Sequence, residues 1–573
     1  MPSPTLTSAA DALGALADEF WEGFLEADPT FATVLGDRRF DDRLPDISPD
    51  GIAAQRRFLE DVARRAQAID PTQLGLRERT TWSVLIEEVD GQIAQLSTSM
   101  EAWSVDPLNG PPSALMELPD FQPVATPEQG RAMVARWRAI GPFMDQHVAN
   151  LRRGLAAGQV AVRDPVERTI DILRGILERP IEDWSLVGPA ASAPEVRSTR
   201  HRQAFAADLL AAVRDVVRPA FAGYRDVLER EILPAARPSD RPGIMHLAGG
   251  SEAYRRLIRV HTTMSLPPEE IHRVGVDEIE RIDREFAELG RRVLGTPDRE
   301  STLARLRDDP TLRFETSEEV RGTAERSLAR AQGAIGAWFG RLPRALCEVM
   351  PIPGHAAEHT TLAYYSWPAL DGSRPGRFWI NLHAPETRPR YDAEALAFHE
   401  AVPGHHLQIS IAQELEGLPA FQRNLGPNAY SEGWGLYTER LADEMGLYSG
   451  DLDRFGVLSF DAWRAARLVV DTGMHALGWT RSEAIAYLRE HTALGDNNIA
   501  NEVDRYIVWP GQALAYKIGQ LEILRLRADS KAALGERFDI RAFHDAILGS
   551  GAVGLTTLAG IVHAWIERER EPG

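Results

Sequence analysis

The sequence predicts a mainly α-helical protein with one small β-sheet. Apolar residues recur every three or four positions along most of the 573 residues, which is the spacing of one buried helix face. Ala, Leu, Glu and Arg dominate these stretches, and all four favour helices. One region differs: residues 362–366 and 377–382 are β-rich and flank a segment of turn-forming residues. The expected order there is strand, turn, strand, helix.

Helices are predicted in the following ranges: 8–27, 51–69, 74–99, 127–156, 200–235, 316–340, 453–478 and 481–491. Another helix is expected to begin with Ser265 as its cap, followed by Pro267 and Pro268, and to stop at Gly290. After the β-rich region, Asp392 is a plausible cap for a helix that reads DAEALAFHEAV.

A proline-rich segment interrupts the helical pattern near the middle of the chain. Residues 234–243 read PAARPSDRPG, a composition typical of a break. We therefore predict an N-terminal helical half, residues 1–240, and a C-terminal half, residues 241–573. The second half carries the predicted sheet and the candidate site.

Composition excludes several classes of protein. Lys and Arg number 64 and Asp and Glu 84, so the net charge is −20, which argues against partners such as nucleic acid or an anionic membrane. The single cysteine, Cys347, excludes a disulfide framework and a thiolate-rich metal site. The sequence shows neither a signal-peptide pattern nor an apolar run of transmembrane length. A cytoplasmic location is the simplest expectation.

The helix after residue 392 ends in a cluster of titratable residues, His399, Glu400, His405 and His406. A zinc protease motif places two His four residues apart on one helix face, with a Glu between them to activate water. Here His399 and His405 are six residues apart, about 240° around a straight helix. His399 and His406 share a face but lie about 10 Å apart along it. Neither pair chelates one ion on an ideal helix.

Pro403 and Gly404 provide a solution, because proline breaks the helical hydrogen bonding and glycine adopts unusual dihedrals. If these two residues loop out, the rest reads H-E-A-V-H, and His405 becomes the second ligand in preference to His406. A third ligand is expected, and Glu432 lies 27 residues after His405. Glu439, two turns further on, either orients a His or is a solvated acid. A capped helix end without metal is the structural alternative.

A second candidate motif, H-x-x-E-H, is formed by His355, Glu358 and His359. It binds metal only on a helix. Its position between PIPG and a strand-like segment leaves little room for a helix, so we expect these histidines to line the cleft or to be exposed.

Three segments resemble the domain-of-unknown-function 885 family of bacterial proteins: HEAVPGHHLQ, YSEGWGLYTERL and EVDRYIVWPGQALAYKIG. That family is similar to helical gluzincin-type zinc peptidases. The resemblance implies a large zincin-like body of two halves around a deep cleft, with one zinc ion per chain. It implies these roles by position: His399, His405 and Glu432 as ligands, and Glu400 as the base.

The resemblance also implies residues that contact substrate. The strand at 362–366, with Tyr364 and Tyr365, would pair with an extended peptide; the alternative is that both are core aromatics. His406 is a further candidate for substrate contact.

The segment 505–517 is expected to form the other wall of the site. Tyr506, or as second choice Tyr516, would donate to an oxyanion, and Arg505 or Lys517 would hold a substrate carboxylate. A structural Pro-Gly loop is the alternative.

The leading functional prediction is a zinc-dependent hydrolase that cleaves a peptide or related amide bond in a short substrate, as a carboxypeptidase, dipeptidase or oligopeptidase. Other divalent ions suit the same ligands. A metal-dependent small-molecule amidase or lyase using Glu400 as base is the second prediction. A non-catalytic helical interaction protein is the third, and the presence of an acid directly after His399 weakens it.

Overall fold

The computed structural model describes residues 8–192, 199–352, 361–370, 372 and 374–571. The protein is 72% helical and has one small sheet, so the predicted mainly α class is confirmed. No helix in the described ranges is both long and apolar enough to cross a membrane.

The helices before residue 240 are Ala9–Ala27, Pro29–Leu35, Pro49–Gln67, Leu76–Leu96, Pro111–Glu117, Pro127–Ala156, Arg163–Glu178, Pro189–Ser192, Thr199–Ala212, Arg218–Val227 and Leu233–Ala235. The last three are joined by the π-helical turns Val213–Val217 and Leu228–Ile232. The continuous helix predicted at 200–235 therefore exists, with two local widenings.

The helices after residue 240 are Gly250–Thr262, Pro268–Leu289, Arg299–Asp308, Ser317–Ala334, Ala393–Glu400, His405–Glu414, Ala420–Asn424, Asn428–Glu444, Arg454–Ala476, Arg481–His491, Asp496–Val508, Ala515–Leu534, Ile540–Leu548 and Leu555–Arg570. Two predicted caps are wrong. Pro267 is the N-cap of its helix and no side chain caps it, so Ser265 has no such role. Asp392 occupies the N-cap position, but its side chain makes no capping bond. The predicted stop at Gly290 begins a π-turn, and the chain leaves the helix at Gly295, in the left-handed conformation.

The sheet has three strands, β1 (Cys347–Pro351), β2 (Ala363–Ser366) and β3 (Gly376–Ile380), in the order β1-β3-β2. β1 runs parallel to β3, whereas β2 is antiparallel to it. β2 and β3 are the two predicted strands. β1 was not predicted, because its sequence, CEVMP, is short and ends in proline.

Three hydrophobic clusters form the core of the described chain. One contains residues between 105 and 232 only. The largest joins residues 13–103 to residues 244–566, and the third centres on the helices Pro268–Leu289 and Arg454–Ala476. The N-terminal segment thus shares its core with the C-terminal half, and the division at residue 240 stays a prediction.

Candidate metal centre

A break between two helices brings two histidines together. His399 lies in the last turn of Ala393–Glu400, and His405 is the first residue of His405–Glu414. A Cβ on Gly404 would lie 1.8 Å from the His399 carbonyl oxygen, so only glycine fits at this bend. The two imidazole rings lie 4.7 Å apart between centroids, at 87° to each other. The predicted loop at Pro403 and Gly404 is therefore what pairs these side chains.

Glu432 completes the group from the helix Asn428–Glu444. Its Oε2 lies 3.5 Å from His399 Nε2 and 3.4 Å from His405 Nε2. All three ligand atoms lie within 4.8 Å of one another. His399 is buried, while the side chains of His405 and Glu432 remain 12% and 22% exposed. Three polar groups thus converge at a point with access to solvent.

Glu439, fully buried two turns after Glu432, fixes the orientation of His399. Its Oε1 lies 2.8 Å from His399 Nδ1. A hydrogen bond at Nδ1 leaves Nε2 as the nitrogen that faces Glu432, an arrangement typical of metal-binding histidines. Of the two roles that the sequence leaves open for Glu439, the geometry supports the orienting one.

Two glycines make room for this packing. A Cβ on Gly435 would lie 2.7–3.0 Å from three atoms of the His399 ring. A Cβ on Gly433 would meet the backbone of Gly519 at 2.5 Å, where the helices Asn428–Glu444 and Ala515–Leu534 cross. The sequence EGWG therefore lets one helix face approach both the histidine and a second helix.

The electrostatics of the group favour opposite charges on its members. Burial disfavours a charged His399, but hydrogen bonds with Glu432 and Glu439 outweigh it and raise the pKa of His399 to about 9. Burial acts against ionised Glu432 as well, yet hydrogen bonds from His399 and His405 hold its pKa well below the usual range. Burial raises the pKa of Glu400, partly offset by the nearby histidines.

Comparison of the sequence with family models identifies the family. A family model described as "Bacterial protein of unknown function (DUF885)" matches residues 29–562. The chain belongs to the DUF885 family. No curated protein matches it significantly.

Solved structures share the fold. A "putative lipoprotein" from Colwellia psychrerythraea is 27% identical, with a TM-score of 0.92 over 98% of this chain and 100% of that one. A protein of the same description "of unknown function" from Shewanella oneidensis is 17% identical, with a TM-score of 0.73 over 97% and 100% of the two chains. The second likeness concerns the fold alone.

His406 of this DUF885 member lies outside the candidate ligand group of His399, His405 and Glu432. It is buried, its Nε2 lies 3.2 Å from the Ala345 carbonyl oxygen, and its Nδ1 lies 2.8 Å from the Tyr365 hydroxyl. Burial lowers the pKa of His406 to about 4. The geometry therefore contradicts His406 as an alternative ligand or a substrate contact, because both ring nitrogens are engaged inside the protein.

The two tyrosines of β2 lie on opposite faces of the sheet. Tyr365 faces inward to His406, and thus supports the strand rather than contacting substrate. Tyr364 stacks on Trp379 of β3, with ring centroids 5.9 Å apart. β2 is an edge strand, and its outer edge pairs with no other strand of the described chain. Tyr364 stays a candidate for substrate contact.

Tyr506 is already committed to other partners. Its hydroxyl donates to Glu502 at 2.5 Å and accepts from Arg467 Nε and Trp463 Nε1. It is 1% exposed. The prediction that Tyr506 donates to the oxyanion is therefore wrong, because its one hydroxyl proton is donated to Glu502. Tyr516, the second choice, is half-buried and interacts electrostatically with Glu432.

The two predicted carboxylate-binding residues are also engaged. Buried Lys517 lies 2.6 Å from Asp461, 2.7 Å from Glu278 and 2.8 Å from Gln520. The prediction that Lys517 holds substrate is therefore wrong. Arg505 donates to Glu502 and Gln512.

The sequence analysis missed Arg464 and Arg467, since both read as charged interruptions of an apolar helix stripe. Both are buried, and their guanidinium groups lie 5.7 and 4.4 Å from the Tyr516 ring centroid. No sequence motif marks these two arginines. The one available signal was their position on the apolar face of a predicted helix. The alternative motif of His355, Glu358 and His359 lies outside the described residues.

Proposed function

We propose that the protein is a zinc-dependent hydrolase that cleaves a peptide or related amide bond in a short substrate. The observation that carries this proposal is the convergence of His399, His405 and Glu432, with Glu400 directly after the first histidine. Two histidines and one glutamate form a donor set typical of catalytic zinc, which keeps one position open.

The residues present fit a divalent cation. His399 Nδ1 is occupied by Glu439, so Nε2 is the ligand atom that His399 offers. His399 Nε2 and His405 Nε2 both face the same oxygen of Glu432, at 3.5 and 3.4 Å. His399, His405 and Glu432 would hold the ion. Bound there, zinc supplies Lewis acidity for a carbonyl and increases the acidity of a water molecule.

The chain's own residues supply the proton chemistry. Glu400 lies close enough to both histidines and to Glu432 to interact with their charges. Burial raises the pKa of Glu400, which is the direction that suits a general base. Glu400 takes a proton from the attacking water and returns it to the leaving amine. Tyr516, which is partly exposed and interacts electrostatically with Glu432, replaces Tyr506 as the donor to the oxyanion.

The proposal also includes the path of the substrate. The free edge of β2 would pair with an extended peptide, and Tyr364 would contact its side chains. Substrate would enter a cleft between residues 1–240 and 241–573, which limits it to short peptides. For such a division, limited proteolysis should cut near residue 240 and leave the two fragments associated, because residues 13–103 share one core with residues 244–566.

A cytoplasmic location is part of the proposal. The two solved relatives are named as lipoproteins, a description that concerns those proteins. Fractionation of cells expressing the full-length natural protein decides the matter, because recovery in the membrane fraction would contradict this location.

Metal content tests the core of the proposal. Plasma mass spectrometry of wild type is expected to give about one zinc per chain, and His399→Ala and Glu432→Ala are expected to lose it. A panel of short peptides and N-acyl amino acids then identifies the substrate class, with Glu400→Gln as the inactive control. A wild type that binds no zinc after incubation with it would refute the proposal.

A further inference from the structure

Arg464 is a buried cation, and two of its donor nitrogens have no partner in the described chain. It lies on the helix Arg454–Ala476 and is 6% exposed. Within the described chain, its Nε and Nη1 are buried and make no hydrogen bond. Leaving a charged donor unpaired in this way is costly, and buried polar groups in native proteins are nearly always paired. A bound ligand with hydrogen-bond acceptors would pair with these two nitrogens.

Aromatic rings hold this guanidinium in place. Its central carbon lies 4.2 Å from the ring centroid of Trp463, 4.7 Å from that of Phe460 and 5.7 Å from that of Tyr516. Stacking of this kind fixes the plane of the group while leaving its N–H edge free to donate. Trp463 and Tyr516 are partly exposed, so the position borders solvent.

The helix that carries Arg464 packs against the helices that carry two of the candidate ligands. Arg454–Ala476 contacts Ala393–Glu400, which holds His399, and Asn428–Glu444, which holds Glu432. The charge of Arg464 interacts with those of Glu439 and Glu432, and Glu400 is affected by Arg464 in turn. Burial and the charge of Glu432 raise the pKa of Tyr516, whose ring centroid lies 5.7 Å from the same guanidinium. The unpaired donors thus belong to a helix that packs against the candidate metal centre.

Arg467, one turn further along the helix, adds a third unpaired donor. It is 3% exposed, and its Nη1 makes no hydrogen bond in the described residues. Its other nitrogens donate to the Tyr506 hydroxyl and to Glu502 at 2.8 and 2.9 Å. These bonds fix Arg467 with its guanidinium 4.4 Å from the Tyr516 ring centroid. Two cations therefore flank one tyrosine.

We propose that Arg464, assisted by Arg467, binds a carboxylate of the substrate beside the metal centre. Guanidinium and carboxylate groups match in planar, two-point hydrogen bonding. We assign this carboxylate to the terminal residue of the substrate. The inference rests on the proposed hydrolase function and narrows it to peptides or N-acyl amino acids with a free carboxylate, cleaved as by a carboxypeptidase or dipeptidase.

The competing explanation is that Arg464 only balances the charge of Glu432 and Glu439. The two explanations predict different kinetics for an uncharged substrate. If Arg464 is a counter-ion, a peptide acid and its amide are processed alike. If it binds substrate, the amide is discriminated against, because it cannot accept a charge-assisted pair of hydrogen bonds.

The kinetic test compares N-benzoylglycyl-phenylalanine with its C-terminal amide. For wild type we expect kcat/KM to favour the acid by about 10–100-fold, the effect of one hydrogen-bonded charge. Arg464→Met is expected to remove this preference through KM for the acid, and Arg464→Lys to restore part of it. Arg527→Met is the matched control, since Arg527 is equally buried but pairs with Glu444. Equal kcat/KM for acid and amide in wild type would overturn the inference.

A binding test separates this inference from the hydrolase proposal. The acid and the amide are titrated by calorimetry into zinc-incubated Glu400→Gln protein, with and without Arg464→Met. Binding of the acid at least about 10-fold tighter than the amide, lost in the Arg464 variant, supports the carboxylate site even if no peptide is hydrolysed. Hydrolysis that depends on Glu400 but shows no preference for the acid would refute the carboxylate site and leave the hydrolase standing.

Discussion

Gly435→Ala is the most direct test of how the metal centre is packed. The new Cβ would lie 2.7, 2.8 and 3.0 Å from three atoms of the His399 imidazole, whereas ordinary contact begins at 3.4 Å. The ring would have to withdraw by roughly 0.4–0.7 Å, but metal–ligand distances tolerate only about 0.2 Å. His399 is buried and bonded to Glu439, so it has no free direction in which to move.

We expect Gly435→Ala to weaken zinc binding by about 10–100-fold, as for the loss of a group that orients a ligand. We also expect overpacking to lower the free energy of unfolding by about 1–3 kcal/mol. Zinc affinity is measured by competition with a chromophoric chelator at pH 7.5, and stability by urea unfolding of the metal-free protein.

Gly175→Ala is the matched control. Gly175 lies in the helix Arg163–Glu178, and a Cβ added there would have no neighbouring atom within 4 Å. The substitution should stabilise this helix by up to about 1 kcal/mol and leave zinc binding unchanged. Wild-type zinc affinity in Gly435→Ala would show that the His399 ring is not where the structure places it, or that it is not a ligand.

Four further predictions follow from the same contacts. Glu400→Gln should retain zinc, by mass spectrometry, and lose at least about 100-fold in kcat; metal loss would assign Glu400 a ligand role instead. Glu439→Gln should lower zinc affinity about 10–100-fold by chelator competition, because His399 loses its orienting carboxylate, and an unchanged affinity would contradict that role. Burial raises the pKa of Asp471 to about 7, so between about pH 4 and 7 the folded state keeps a proton that the unfolded state releases. Wild-type stability should therefore fall as pH rises through that window, by up to about 1.4 kcal/mol per pH unit from this group, and urea unfolding of Asp471→Asn at pH 5 and 7 should show a smaller fall. Lys517→Met should cost about 1–3 kcal/mol in urea unfolding, because it removes a charged donor from buried Asp461 and partly buried Glu278, while Arg281 still pairs with both; a near-neutral effect would reopen a role in substrate binding.

The sequence predicted long helices well because their periodicity is a property of the chain itself. The helices Pro127–Ala156 and Arg481–His491 have the predicted bounds. Capping was predicted less well, since Ser265 and Asp392 are suitable residues whose side chains do not bond to the helix start. Strand β1 was missed because pairing with β3, rather than any local preference, makes CEVMP a strand.

At the candidate site, local chemistry was predictable and long-range packing was not. Pro403 and Gly404 carry the signal for a break, and the break is what sets His405 beside His399. The partner of Tyr506 is Glu502, one helical turn away, and that spacing was readable in the sequence. Lys517 instead meets Asp461, which is 56 residues distant, so only the fold shows that this lysine is paired.

Charge balance links the metal to the proposed carboxylate site. The charge of Arg464 interacts with those of Glu400, Glu432 and Glu439. A divalent cation held by His399, His405 and Glu432 would add positive charge to this group, and a substrate carboxylate would offset part of it. Because such charges interact strongly in a poorly solvated site, the two ligands should bind cooperatively. Zinc should therefore strengthen binding of N-benzoylglycyl-phenylalanine more than binding of its amide, and linkage requires the acid to strengthen zinc binding by the same factor.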